Sequence, residues 1–206
     1  MADKTLTAEE RARRIKIILF DVDGVLTDGG IWLFPAPAAN GNSVQQGSMA
    51  EAKGFHAHDG AGITLARLAR IKCGFITKRI SETVALRARD LKLEFLFMGQ
   101  SFKMQAVRKI MSDEGVTLEQ IAYVGDDVID LPVMRECGLA IAVLNARAQV
   151  KAAAHYVTPH KGGRGAGRDA VDFILQAQGL LDKVIEEYID EGNPISPSMD
   201  IGKGEI

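Results

Sequence analysis

An α/β protein, with a doubly wound, mostly parallel sheet and helices on both faces, is the fold class that the sequence predicts. Three observations carry it. Residues 15–20 form an almost unbroken apolar run of strand length, as a strand buried on both faces requires. The run stops at Asp21-Val22-Asp23-Gly24, two carboxylates one residue apart and then a turn former, at the kind of strand end where open α/β sheets carry their chemistry. Downstream, short apolar runs alternate with segments of helical periodicity through brief links.

The 206 residues suffice for one domain with a substantial core, read as residues 1–190, followed by a flexible tail over 191–206 that holds two prolines and three glycines. A formal net charge of −2 gives no basic field for nucleic acid or an anionic membrane, so the expected partner is a small molecule. Cys73 and Cys137 sit in apolar runs without metal-ligand spacing and read as buried reduced thiols. No apolar run reaches the roughly 20 residues needed to span a bilayer. Residues 1–14 mix acids with arginines and do not resemble a signal peptide, which points to the cytoplasm.

In chain order, the first strand is followed by a projecting hairpin over residues 31–57. Residues 31–34 run out, 52–57 return, and the tract rich in Pro, Ala, Asn, Gly, Ser and Gln between them forms the tip. Asp59 is the expected N-cap of a helix whose apolar face includes Ile63, Leu65, Ala66 and Leu68. A second strand, 73–77, ends in Thr77-Lys78-Arg79. A helix over 81–91 and a third strand over 95–98 come next. Lys103 stands near the start of the following helix, and Thr117 with Gln120 suits a capping box before the fourth strand, 121–124. That strand ends in Gly125-Asp126-Asp127, and a short helix then reaches Cys137 with Gly138 as its stop. Residues 139–143 form a fifth strand and 155–157 a sixth, at an edge. The loop 162–167 precedes an amphipathic helical stretch over 168–188, which Gly179 interrupts.

Three strands thus end in residues suited to one reaction. A carboxylate that attacks phosphorus forms an aspartyl-phosphate, but two anions approach each other only if a divalent cation and positive side chains offset the charge. Asp21 is the expected nucleophile. Asp23 can protonate the leaving oxygen and later take a proton from water. Asp126, with Asp127, would complete an oxygen-only site of the kind that suits Mg²⁺. Thr77 offers a hydroxyl and Lys103 a point charge to the phosphoryl group.

In that order, the DVDGVLTD segment, the strand into Thr77, Lys103, and Gly125-Asp126-Asp127-Val128-Ile129-Asp130 resemble the four motifs of the haloacid dehalogenase superfamily of phosphohydrolases, over roughly residues 15–180. The resemblance implies that superfamily's Rossmann-like fold, with Asp21 as nucleophile and Asp23 as acid/base with its carbonyl on Mg²⁺. It further implies Asp126 as a metal ligand, Thr77 and Lys103 on the phosphate, and Asp127 and Asp130 supporting the metal. Within the superfamily, residues 55–62, 99–103, 123–134 and 161–166 resemble the phosphatases of 3-deoxy-D-manno-octulosonate 8-phosphate, whose relatives act on phosphorylated nonulosonates. That family makes a lipopolysaccharide precursor, forms tetramers and closes each site with a neighbour's surface. The intervals from Thr27 to Thr77 and from Thr77 to Lys103 hold no separate cap domain of about 50 residues, so closure by a neighbour's hairpin fits the spacing.

Lys78 stands where the family often has glycine, His58 where it often has arginine, and the hairpin tip is longer than the family's turn. His58, Lys78, Arg79 and Arg164 are the expected contacts to an acidic sugar. His56 and His58 would share a face if residues 55–58 were strand. Two alternatives to octulosonate hydrolysis follow: a phosphatase for a related nonulosonate phosphate, and a non-catalytic module that binds a sugar phosphate in an assembly.

Overall fold

The computed structural model describes residues 6–37 and 44–190. Six strands form a single parallel sheet: β1 (Ile17–Phe20), β4 (Lys72–Ile76), β5 (Phe95–Phe97), β6 (Ile121–Gly125), β7 (Leu139–Ala142) and β8 (Tyr156–Val157). Their spatial order is β5-β4-β1-β6-β7-β8. The chain therefore builds outward from β1 in one direction and then crosses back to build in the other. The reversal falls between β1 and β6, and a crevice opens outside the strand ends at such a reversal.

The unbroken apolar run of β1 follows from this central place. All four of its side chains are at most 1% exposed although they alternate between the two faces, so both faces are covered. One group of helices comprises α1 (Ala8–Ala12), α2 (Ala57–Leu68), α7 (Ala166–Ala177) and α8 (Leu181–Ile189), of which α2 packs on β4 and α1 on β7. A second group comprises α4 (Lys103–Glu114), α5 (Leu131–Met134) and α6 (Ala148–Ala153), with α5 on β6 and α6 on β7. Between β4 and β5 lies α3 (Glu82–Asp90), N-capped by Ser81. Cys73 and Cys137 are both buried and free, and burial pushes the Cys137 thiol up to about 12. No helix among the described residues is long and apolar enough to cross a membrane.

The order of strands and helices agrees with the pattern expected from the sequence, but four local readings need correction. The outgoing strand of the hairpin is β2 (Trp32–Pro37) and its return strand is β3 (Val44–Ala52), paired antiparallel with Trp32 opposite Ala52 and Pro37 opposite Val44. Much of the tract read as a tip is therefore strand, because ladder hydrogen bonds need backbone rather than apolar side chains. Its centre, 38–43, lies outside the described residues, as does the tail read over 191–206.

Residues 55–58 are not strand. His56 is the N-cap of α2 and its Nδ1 accepts from the His58 N–H at 3.3 Å, so a free helix-end donor is satisfied and the helix starts two residues before Asp59. Asp59, read as that cap, sits inside the first turn and its Oδ1 accepts from the Arg168 N–H of α7 at 2.9 Å. It caps a different helix. The short helix expected to reach Cys137 is a 3-10 turn, Val128–Asp130, followed by α5, which closes at Met134.

Two helices had no counterpart in the sequence reading. The first, α1, has a legible signal in the Thr7/Glu10 capping box. The other, α6, follows Arg147 with no side-chain cap and has no such start signal.

Candidate active site

The sheet register brings three strand ends together. Phe20 is level with Phe75 of β4 and Val124 of β6, so Asp21, Thr77 and Asp126 leave the same edge of the sheet. The loop after β1 is braced by Thr27, which is fully buried. Its Oγ1 accepts from the N–H of Gly24 at 3.3 Å and of Gly29 at 3.2 Å. Gly24 has φ +91°, and a Cβ there would stand 2.3 Å from Asp126 Oδ2. Only glycine allows both this turn and the approach of the β6 carboxylate. Gly162 makes a second close approach: a Cβ would meet the Gly24 carbonyl oxygen at 1.7 Å, so the glycine-rich loop packs directly on the loop after β1.

Lys103, the first residue of α4, is 2% exposed and lies 2.7 Å from both Asp21 Oδ1 and Asp130 Oδ1. Asp130 has no exposed surface. Besides Lys103 its Oδ1 accepts from the Tyr123 hydroxyl at 2.8 Å, while its Oδ2 accepts from the N–H groups of Asp126 at 3.0 Å and Asp127 at 3.3 Å. Asp130 is thus a bracket that fixes both the ammonium and the β6 loop. Asp127 is exposed, and its Oδ1 accepts from the Val128 N–H at 2.7 Å. Thr77 is buried and its Oγ1 accepts from the Arg79 N–H at 3.3 Å, which leaves the hydroxyl hydrogen to donate elsewhere.

Asp21, Asp126 and Asp130 each offer a carboxylate oxygen within 4.8 Å of the others. Burial pushes Asp21 up to about 6, with Asp130 adding to the rise and Lys103 opposing it. Burial likewise pushes Asp126 up to about 7, helped by Asp21 and Asp130. Burial alone would depress the Lys103 ammonium, but Asp21 and Asp130 outweigh it and its pKa is raised. One ammonium is too little charge for three crowded carboxylates. Moreover, Asp126 Oδ1 is buried with no hydrogen-bond partner. Such an orphaned acceptor beside Asp21 fits a hard divalent cation, with Asp130, both of whose oxygens are engaged, supporting from behind.

The linkage has a definite sign. Asp21 and Asp126 hold protons in the folded state that the unfolded chain releases near 3.8. Their stabilising contribution is complete below that value and is lost as pH rises through about 6 and about 7. Mg²⁺ is therefore expected to raise the unfolding temperature more at pH 8 than at pH 5, and Asp126→Asn to remove most of that rise. A Mg²⁺ shift of equal size at both pH values, followed by differential scanning calorimetry, would contradict the assignment.

Asp23 points to other partners. Its Oδ1 accepts from Lys53 Nζ, and its Oδ2 lies 3.9 Å from Arg79 Nε. Arg79 also donates from Nη2 to Glu51 Oε1 at 2.9 Å. Lys53 and Glu51 come from the hairpin's return arm and had no place in the sequence reading. The available signal was their i, i+2 spacing, which sets them on one face of an extended chain.

The other expected substrate contacts are less engaged. Lys78 and Arg164 are exposed, and the His58 ring lies edge-on to His56 at 4.8 Å. Among the described residues, no hydrogen bond or ion pair joins the side chains of His58, Lys78 or Arg164 to the carboxylate cluster. Arg164 nonetheless stands in the glycine-rich loop, two residues after the Gly162 that packs on Gly24.

Comparison with known proteins gives the family of the chain. Residues 76–166 match the haloacid dehalogenase-like hydrolases. The 3-deoxy-D-manno-octulosonate 8-phosphate phosphatase of Haemophilus influenzae is 39% identical over 171 residues, covering 83% of this chain and 88% of that one. The crystal structure of the Yersinia pestis phosphatase of the same name superposes with a TM-score of 0.76 at 38% identity, covering 85% of this chain and 88% of that chain. That of the Moraxella catarrhalis phosphatase, solved in complex with a magnesium ion, a phosphate ion and a KDO molecule, has a TM-score of 0.77 at 34% identity, covering 87% of this chain and 96% of that chain.

Proposed function

Because the chain belongs to the haloacid dehalogenase-like hydrolases and, among them, to the 3-deoxy-D-manno-octulosonate 8-phosphate phosphatases, we propose that it hydrolyses the phosphomonoester of that sugar acid in the cytoplasm, with Mg²⁺ as cofactor, to supply a lipopolysaccharide precursor. The observation that carries this reading is the bracket Asp21–Lys103–Asp130 with the orphaned Asp126 oxygen beside it. It unites a nucleophile, a phosphate-binding cation and a metal position in one buried cluster.

In the proposed reaction a carboxylate oxygen of Asp21 attacks phosphorus, the bond from phosphorus to the sugar oxygen breaks, and Asp23 gives its proton to that oxygen. Asp23, now a carboxylate, takes a proton from water as the water oxygen attacks phosphorus. Asp21 is displaced and inorganic phosphate leaves. Lys103 and the Thr77 hydroxyl hold phosphoryl oxygens throughout. Held by Asp21, Asp126 and the Asp23 carbonyl, and supported by Asp127 and Asp130, Mg²⁺ would lower the repulsion between phosphate and nucleophile.

The hairpin is the proposed contact within a tetramer. Ile31, Trp32, Leu33 and Phe34 are each about half exposed (49–61%), an apolar ribbon with both faces open. Between β1 and β4 only this hairpin and α2 intervene among the described residues, so a neighbour's surface is the natural cover for the crevice. His58, Lys78, Arg79 and Arg164 are the proposed contacts to the acidic sugar.

Phosphate release should be measured across octulosonate and nonulosonate phosphates, with and without Mg²⁺, on protein whose sedimentation is recorded in parallel. The expected result is Mg²⁺-dependent turnover, fastest for 3-deoxy-D-manno-octulosonate 8-phosphate, by a tetramer. Preference for a nonulosonate phosphate would change the substrate, and binding without turnover would replace the enzyme with an assembly module.

A further inference from the structure

The loop after β1 does not hold the Asp23 carboxylate alone. Lys53, directly after β3, reaches across to Asp23 Oδ1 with a side chain that is 0% exposed, while the Asp23 side chain itself is 20% exposed. A fully buried ammonium has to be paired, and Glu51 Oε1, 3.5 Å from Lys53 Nζ, supplies its second counter-charge. Glu51 is anchored in turn: Arg79 Nη2 and Ser81 Oγ donate to its carboxylate, and Thr83 Oγ1 donates to its carbonyl at 3.1 Å. Burial works to raise the Glu51 pKa, but the bonds from Ser81 and Arg79 and the charges of Lys53 and Arg79 outweigh it, and the pKa is lowered. Arg79 Nε, buried and without a hydrogen-bond partner, faces Asp23 Oδ2 at 3.9 Å. The start of α3 therefore holds Glu51, Glu51 steadies Lys53, and Lys53 holds Asp23.

We propose that Lys53 is a positioning residue for Asp23: the ammonium at the base of the hairpin orients the acid/base carboxylate toward the oxygen of the leaving alcohol. A carboxylate on a short loop can rotate about two side-chain bonds, and proton transfer tolerates little misplacement. A long, flexible lysine orders another group only if it is itself ordered, and here burial and Glu51 supply that order. The proposal rests on the reading of Asp23 as acid/base.

It predicts a leaving-group signature. The quantity kcat/KM reports the steps up to and including departure of the alcohol, and a proton donor matters most for poor leaving groups. Measured over phosphate monoesters from nitrophenyl to simple alkyl, Lys53→Met should lose on the order of 100-fold on alkyl esters and under about tenfold on nitrophenyl phosphate. Lys53→Arg should restore most of the alkyl activity, and Glu51→Gln, which loosens the far anchor, should show the same trend at smaller size. Inhibition by inorganic phosphate should be little changed, because Lys103 and Thr77 remain.

An equal loss on every ester, or full alkyl activity in Lys53→Met, would overturn the proposal. Should Lys53→Met fail to fold by thermal melting, Glu51→Gln decides, and a loss in it that is independent of the leaving group overturns the proposal too. Asp23→Asn run alongside separates the two levels. If it turns over alkyl esters at the wild-type rate, the acid/base assignment itself fails. If it loses them while Lys53→Met does not, only the role of Lys53 fails.

Discussion

Asp21→Asn is expected to reduce turnover by on the order of 10⁴-fold or more, about 5.5 kcal/mol or more of transition-state stabilisation, while leaving the protein folded. The amide keeps the size of the side chain but cannot attack phosphorus. The same substitution should hold or raise the unfolding temperature in metal-free buffer at pH 8. The reason lies in the sign of the Asp21 shift: its pKa rises to about 6 despite Lys103 at 2.7 Å, so burial and Asp130 disfavour the ionised form more than Lys103 favours it. Removing that charge relieves the cost. A loss of activity with a higher melting temperature would mark a residue kept for chemistry at some expense to stability. Wild-type phosphate release by purified Asp21→Asn would end the nucleophile assignment.

The largest loss of stability is expected from Asp130→Ala. Its carboxylate is wholly buried and accepts from the Lys103 ammonium, the Tyr123 hydroxyl and two backbone N–H groups. Alanine leaves four donors short of an acceptor, and breaking such a buried charged pair costs about 3–5 kcal/mol, a large share of the roughly 5–15 kcal/mol that holds a domain together. Asp130→Asn should recover only part of this, because an amide has one acceptor where the bracket needs two. Urea titration at fixed pH measures the difference, and a loss under about 1 kcal/mol would contradict the bracket. Activity should fall as well, since Lys103 would retain Asp21 alone and the Asp126 backbone would lose its anchor.

The two substitutions separate what the motifs encode. The apolar strand before Asp21, the Thr77 strand end and the Gly125-Asp126-Asp127 turn were legible because each is a local pattern: a buried strand is apolar throughout, and a reactive carboxylate follows where it stops. The burial of β1 on both faces followed from the same pattern, while its neighbours β4 and β6 were fixed by the tertiary structure. The hairpin was legible as an excursion but not in its register, since strand pairing across a polar tract is set by backbone hydrogen bonds. For the same reason His56 and His58, plausible as neighbours on a strand face, proved to be a cap and a first-turn residue of α2.

By itself, then, the sequence determined the order of the strands and of the helices other than α1 and α6, and it singled out Asp21, Asp23, Thr77, Lys103 and Asp126, of which Asp21, Thr77 and Asp126 leave the same edge of the sheet. Periodicity and the abrupt change from apolar to polar are properties of neighbouring residues, so they can be read along the chain. Only the tertiary structure decided that Asp130 is a four-donor bracket and that Asp59 caps α7. It also decided that Lys53, 30 residues beyond Asp23, pairs with the Asp23 carboxylate. These are encounters between segments far apart in sequence. A lysine or aspartate that makes one looks, along the chain, like any solvated charge until burial removes the water that would otherwise satisfy it.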